Sequence, residues 1–211
     1  TGSAPTDDPM HMAINSPKGK AIEALFSHAL RQCRVSDKTS GSHTETWASL
    51  QSIFSKELGK TKGENFEFST LAASYLANIQ YLSETWLTQS IGKIFSKEFP
   101  DNFNSALGGF VYSEPTKLTY RLLVNAGAID TAVQSYEGKT QIKDRLIERI
   151  ALAYLWGEET LESPRFSWWF QKSEVHALSA VSHYFWSISK QEITEEQVKL
   201  IMQFWKKCVD V

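Results

Sequence analysis

TWASLQSIFSKELGK, residues 46–60, and TWLTQSIGKIFSKEFPD, residues 85–101, are the stretches on which the fold class turns. Both carry IFSKE, at 53–57 and again at 94–98, with Trp47 and Trp86 placed upstream at nearly the same offset. A period near 40 is that of HEAT- and armadillo-type arrays, in which each unit is two or three helices. Both copies put Ile-Phe late in a helical pattern and an apolar residue, Leu58 or Phe99, after the Glu. Ile53, Phe54, Ile94 and Phe95 are therefore expected to pack inward, with Ser, Lys and Glu facing water. The sharper alternative is a repeated binding edge formed by Lys56/Glu57 and Lys97/Glu98. No third copy follows, and no TPR or ankyrin signature occurs, so a regular array and an irregular bundle both stay open.

Working outward, the same three- and four-residue apolar steps recur along most of the chain. Ser16-Pro17 is a helix start, because Ser caps free amides and Pro suits the first helical position. Ile22, Phe26, Ala29, Leu30 and Cys33 follow on one face. Residues 36–44 are expected to form a polar loop. Trp47, Leu50, Phe54 and Leu58 make a second helix that stops at Gly59, and KTKGEN is the next loop. One helix is predicted from Ser69 to Leu82, another from Trp86 to Phe95, and a shorter one from Asp101 or Asn102, weakened by Gly108-Gly109. Further helices begin at Thr116, Ala128, Gln141, Ser163-Pro164 and Val175. Thr194 and Gln197 form a capping box ahead of the last, which carries Val198, Ile201, Met202, Trp205 and Cys208. No alternating strand pattern is found. The expected fold is all-α, a HEAT/armadillo-like array or irregular bundle of antiparallel helix pairs, about nine to eleven helices.

Composition narrows the function classes. The chain has 211 residues, 42% hydrophobic and 22% charged, enough to build a core. A net charge of −2 supplies no general field for nucleic acid or acidic lipid. The two cysteines, Cys33 and Cys208, show neither CxxC spacing nor a disulfide framework, which fits a reducing cytoplasm. No apolar run approaches a bilayer span. Residues 1–12, TGSAPTDDPMHM, read as an expression-tag remnant and are set aside, leaving 13–211 as a single all-helical domain.

Candidate chemistry is thin. SPKGKA (16–21) is not a P-loop: Ile14 stands where a first Gly is needed and Ala21 where Ser or Thr would hold magnesium. It reads as an ordinary capped helix whose Gly19 admits a close neighbour. His176 and His183 can share a helix side, but a metal site wants more ligands. His28 and Cys33 are a nucleophile–base pair only on paper, and His43 is expected to be solvated. Lys139, Lys143, Arg145 and Arg149 are interleaved with Asp144 and Glu148, as on a salt-bridged solvated face. Glu158, Glu159 and Glu162 form an acidic loop without an evident role. The aromatic cluster Phe166, Trp168, Trp169 and Phe170, with Arg165, is the proposed partner-binding surface, because aromatics and Arg concentrate at interface hot spots. Core burial is the competing account of it.

The segment AINSPKGKAIEALFSHALR (13–31), through Asn15, Ser16, Pro17, Gly19, Lys20, Glu23, Ala24 and Leu25, resembles a segment of the helical, repeat-like C-terminal regions of very large bacterial proteins. Some of those carry sirtuin-like or STAND-type ATPase domains and belong to antiphage defence systems. The resemblance covers under a tenth of the chain and transfers no catalytic residue. It implies that catalysis belongs to other domains and that this piece senses a partner or supports assembly. The expectation is a non-enzymatic interaction or scaffold module excised from a larger cytoplasmic bacterial protein. It needs no cofactor and binds another protein or other domains of the same polypeptide, not a membrane or nucleic acid. The alternatives are a hydrolase built on His176, His183 and carboxylates, or a nucleic-acid-binding helix at 139–149.

Overall fold

The computed structural model describes residues 8–209, and all regular structure among them is helical. Thirteen helices are present: α1 Pro9–Asn15, α2 Pro17–Ser40, α3 Thr44–Gly59, α4 Phe66–Ser74, α5 Leu76–Leu82, α6 Glu84–Ile94, α7 Pro100–Phe110, α8 Lys117–Asn125, α9 Ala128–Ser135, α10 Thr140–Leu155, α11 Pro164–Gln171, α12 Val175–Ile188 and α13 Glu195–Val209. Where the sequence suggests one domain across 13–211, the packing forms two compact units divided between Ala128 and Ile129.

Two additions raise the helix number above the expected nine to eleven. Pro9–Met12, set aside with the remnant, lie in α1, where Asp8 caps the amide of His11 at 2.9 Å and Pro9 is buried. Residues 1–7 of that stretch lie outside the described residues. The helix predicted for 69–82 is broken at Tyr75, whose backbone (φ −99°, ψ 16°) leaves the helical region while its ring stacks on Phe26 at 4.5 Å. The loop predicted at 36–44 is also shorter. Residues 36–40 stay helical because Thr39 and Ser40 hydroxyls bond back to the carbonyls of Val35 and Ser36, at 3.0 and 2.8 Å. Gly41 then closes α2 in the left-handed region, φ +77°.

The first unit is built on two close backbone approaches. A Cβ on Gly19 would sit 1.7 Å from the Ala13 carbonyl oxygen, so this position lets α1 fold back tightly on α2. Ser16 accepts from the Gly19 amide at 2.8 Å, so the capped-helix reading of SPKGKA holds. A Cβ on Gly109 would lie 1.9 Å from the carbonyl oxygen of Thr70, at the crossing of α4 and α7. Next to it Asn102, fully buried, spends its amide completely. It donates to the Glu64 carbonyl and to Ser69 Oγ, both at 2.8 Å, and accepts from the Gly63 amide at 2.8 Å. Around this frame Phe26, Phe54, Trp47 and Trp86 interlock, with Phe26–Phe54 at 5.1 Å and Trp47–Trp86 edge-to-face at 5.8 Å.

The two IFSKE copies are not equivalent. The first lies inside α3 and the second runs off the end of α6, where Phe95 turns out of the helix (φ −106°, ψ 50°) to meet Phe103 and Phe110 at 6.3 Å. Phe54, Ile94 and Phe95 are buried as expected, but Ile53 is 44% exposed. The reason is that α3 buries a single stripe through Trp47, Phe54 and Leu58, and Ile53 stands beside it. The two stretches still meet: Trp86, upstream of the second copy, donates through Nε1 to Ser55 Oγ of the first, at 3.0 Å.

The second unit closes around aromatic rings from α10 to α13. Phe204 lies 5.3 Å from Phe185, 6.1 Å from Phe170 and 6.3 Å from Phe166. Tyr154 donates its hydroxyl to the Leu200 carbonyl at 2.8 Å, tying α10 to α13. The capping box forms as read: the Thr194 amide donates to Gln197 Oε1 at 2.9 Å and the Gln197 amide to Thr194 Oγ1 at 3.2 Å. No helix among the described residues is long and apolar enough to cross a membrane.

Candidate functional site

Of the five residues expected to form a partner surface, four lie inside the second unit. Phe166, Trp169 and Phe170 are core, with Phe166 5.2 Å from both Tyr154 and Trp169. Arg165 is buried and spent internally. Its Nε and Nη2 reach the two carboxylate oxygens of Glu159 at 2.9 and 3.0 Å, and its Nη1 reaches Asp130 at 2.7 Å. Trp168 alone is half-exposed, with the Lys172 ammonium 5.2 Å above its ring. The aromatic cluster is thus a core rather than a face, because an eight-residue helix carrying four large side chains is wedged against α10, α12 and α13. The acidic loop gains a role as well. Glu159, 2% exposed, is the counter-charge that lets Arg165 be buried.

The other expected residues scatter. His176 Nε2 pairs with Asp144 Oδ1 at 3.0 Å on an open surface, while His183 lies 5.9 Å from the Trp186 ring. Among the described residues no three His, Cys, Asp or Glu side chains are grouped to hold a metal ion. His28 is exposed and Cys33 buried, five positions apart and so on different sides of α2; burial pushes the Cys33 thiol pKa up, with Asp37 adding to it. On α12, burial pushes the Tyr184 hydroxyl pKa upward, while the Arg149 charge on α10 pulls it back.

His43 departs from expectation. Instead of being solvated, it joins three helices of the first unit. Its Nδ1 lies 2.8 Å from Asp37 on α2, its Nε2 lies 3.2 Å from the Leu82 carbonyl, and its ring packs 4.8 Å from Tyr81 on α5. Tyr81 completes the set by donating its hydroxyl to Asp37 at 2.5 Å. The hydrogen bonds from Tyr81 and then His43 hold the Asp37 carboxyl below its usual range. Partial burial and then the Asp37 bond push Tyr81 up to about 12. This is a latch between α2, α3 and α5.

What the second unit does leave open is apolar. On α13, Val198, Met202, Trp205 and Val209 follow one another at helical spacing and are all exposed, Met202 by 63% and Trp205 by 44%. They form a stripe separate from the inward Ile201, Phe204 and Cys208. Beside it runs an open groove of about 470 Å³ lined by Ser173, Val175, Leu178, Ser179, Ser182 and Cys208, from the start of α12 to the end of α13. Val175 and Trp186 on α12 are exposed too. The sequence carries this signal. The last helix has more apolar residues than one stripe can hold, and two stripes about a quarter of a turn apart account for most of them.

Compared with known proteins, the chain matches no family model, no curated protein and no solved structure.

Proposed function

We propose that this chain is a non-enzymatic helical interaction module whose working surface is the α12–α13 face of the second unit. One observation carries the reading. The unit has a full aromatic core and yet keeps two tryptophans, Trp186 and Trp205, together with Met202 and Val175, in water on neighbouring helices. Exposed apolar residues concentrated on two neighbouring helices are what mark interaction sites in globular proteins, whereas apolar residues scattered singly over a surface do not. Trp and Met are also the residue types that anchor interfaces.

Of the two helix arrangements drawn from the sequence, the unequal fate of the IFSKE copies favours an irregular bundle over a regular HEAT-like array. The defence-system resemblance of residues 13–31 fits a module that senses or assembles within a larger bacterial protein, and its cytoplasmic setting belongs to the same proposal. The test is a photo-reactive side chain placed at Met202, with Val35, a lone exposed apolar residue on α2, as the control position. In cells of the source, a discrete adduct from position 202 that disappears with Trp205→Ser is the expected result. Equal labelling from both positions, or none from 202, overturns the reading.

A further inference from the structure

We infer that His43 is a proton-operated clasp: its ring ties α5 to α2 and α3 while it carries both ring protons, and lets go of α5 when one of them leaves. The inference concerns the first unit and stands apart from the interaction-module reading. It rests on a count of donors. Nδ1 faces the Asp37 carboxylate, 2.8 and 3.0 Å from its two oxygens, and Nε2 faces the Leu82 carbonyl at 3.2 Å. Both partners are acceptors. A neutral imidazole has one N–H and one lone pair and can satisfy only one of them, whereas the imidazolium donates to both. The neutral ring keeps its N–H on the charged acceptor, Asp37, because that bond is the stronger. Its Nε2 lone pair then faces the Leu82 oxygen. Leu82 is the last residue of α5, where carbonyls lack partners within the helix. His43 precedes α3 and makes no side-chain cap on it, so its ring is spent on the neighbouring helices.

The groups around the ring hold their charge while it titrates. The Tyr81 hydrogen bond, and then that of His43, keeps the Asp37 carboxyl below its usual range. Tyr81, which donates to Asp37 and packs 4.8 Å from the ring, is pushed up to about 12 by partial burial and then by the Asp37 bond. Behind them on α2, burial and then Asp37 push the Cys33 thiol up, and Arg34 acts on Tyr81 as a positive charge. Lys38, Glu45 and Glu84, the nearest charges along the chain, are exposed. An imidazole ordinarily changes charge near 6.5, where Asp37 stays ionised and Tyr81 stays a donor. The His43 side chain keeps 20% exposure, so its protons exchange with water. The tie to α5 is therefore complete in acid and is lost as pH rises through the titration of the ring.

Amide hydrogen exchange at about pH 5.5 and about pH 8, corrected for intrinsic rates, tests this. Trp47 and Ser83 report from the two sides of the clasp, since their amides donate to the His43 and Ile79 carbonyls, each at 2.8 Å. In the wild type their protection is expected to fall about tenfold from the lower pH to the higher, the scale of one hydrogen bond. His43→Gln, which offers an N–H at either pH and does not titrate, is expected to give the same protection at both. Equal wild-type protection at the two pH values overturns the inference, as does a fall that persists in His43→Gln. Should that variant not fold, nitrogen NMR of the wild-type ring decides. Protons on both ring nitrogens at the lower pH, and on Nδ1 alone at the higher, are expected. A single ring proton at the lower pH, or an Nε2 proton kept at the higher, overturns it.

Discussion

Arg165 grips Glu159 through Nε and Nη2, at 2.9 and 3.0 Å, with both residues withdrawn from water. Nη2 makes the hydrogen bond and Nε adds a close ion-pair contact between groups that have lost their hydration, so Glu159 is tolerated only because of Arg165, which Asp130 also faces. Removing one partner strands a buried charge. Arg165→Ala is expected to destabilise the protein by about 3–5 kcal/mol. Glu159→Gln is expected to cost less, because Asp130 still neutralises the guanidinium. Replacing both, Glu159→Leu with Arg165→Met, is expected to return part of the loss. Urea unfolding of the four proteins checks the order.

Gly109 and Gly92 give opposite expectations for the same substitution. At Gly109 a methyl group would collide with the backbone of Thr70, and at Gly92 it would meet nothing within 4 Å. Gly109→Ala is expected to cost about 2–3 kcal/mol by forcing α4 and α7 apart. Gly92→Ala is expected to stabilise by about 0.5–1 kcal/mol through helix propensity alone. Thermal midpoints that move the same way for both would contradict the close approach.

Trp168 and Trp169 are neighbours with different work. Trp169 faces the Phe166 ring inside the unit, whereas Trp168 lies at its edge beneath Lys172. Trp169→Ala is expected to cost about 3–5 kcal/mol and Trp168→Ala under about 1 kcal/mol. A combined substitution therefore reads out folding rather than recognition. Equal losses from the two single variants would show that the aromatic cluster is not layered in this way.

Tyrosine ionisation should come in two sets. Tyr81 and Tyr154 are each pushed up to about 12, Tyr81 by partial burial and the Asp37 bond, Tyr154 by burial and then Glu162. Between pH 10 and 12 the unfolded chain releases these protons while the folded chain holds them. Their contribution is thus complete below pH 10 and is lost as pH rises through 12. Ultraviolet titration of tyrosinate is expected to show a late component that shrinks in Tyr81→Phe and again in Tyr154→Phe. Asp37 runs the other way. Its carboxyl is held low, so its contribution is present above the ordinary carboxylate range near 3.8 and is lost on further acidification. Tyr81→Phe is expected to raise the Asp37 pKa by removing the Tyr81 hydrogen bond, the main influence holding it low, measurable by carboxylate NMR.

Helix class and most helix starts were legible because they depend on local chemistry. Ser16-Pro17, Thr194 with Gln197 and the αL Gly127 and Gly157 act within a few residues of themselves. Ile53 was misjudged because the periodicity that marks it as apolar says nothing about which flank of α3 meets a neighbour. The neighbourhood of Arg165 was out of reach for a related reason: Arg165 sits among aromatics that resemble an interface hot spot, and its counter-charges come from Glu159 and from Asp130 on another helix. The His43 latch closes through Tyr81 of α5 and the Leu82 carbonyl, contacts that no short window contains. The α13 stripe was within reach, since Leu200, Phe204 and Val209 together with Val198, Ile201, Met202, Trp205 and Cys208 spread round more of the helix than one buried stripe can hold.

Cys33, wholly enclosed on the inner face of α2, gives the molecule an internal clock. A thiol reagent in the medium meets Cys208 at the groove first, while Cys33 stays sealed until the helices around it part. The rate at which the second sulfur becomes alkylated therefore times the breathing of the N-terminal bundle in an otherwise undisturbed protein.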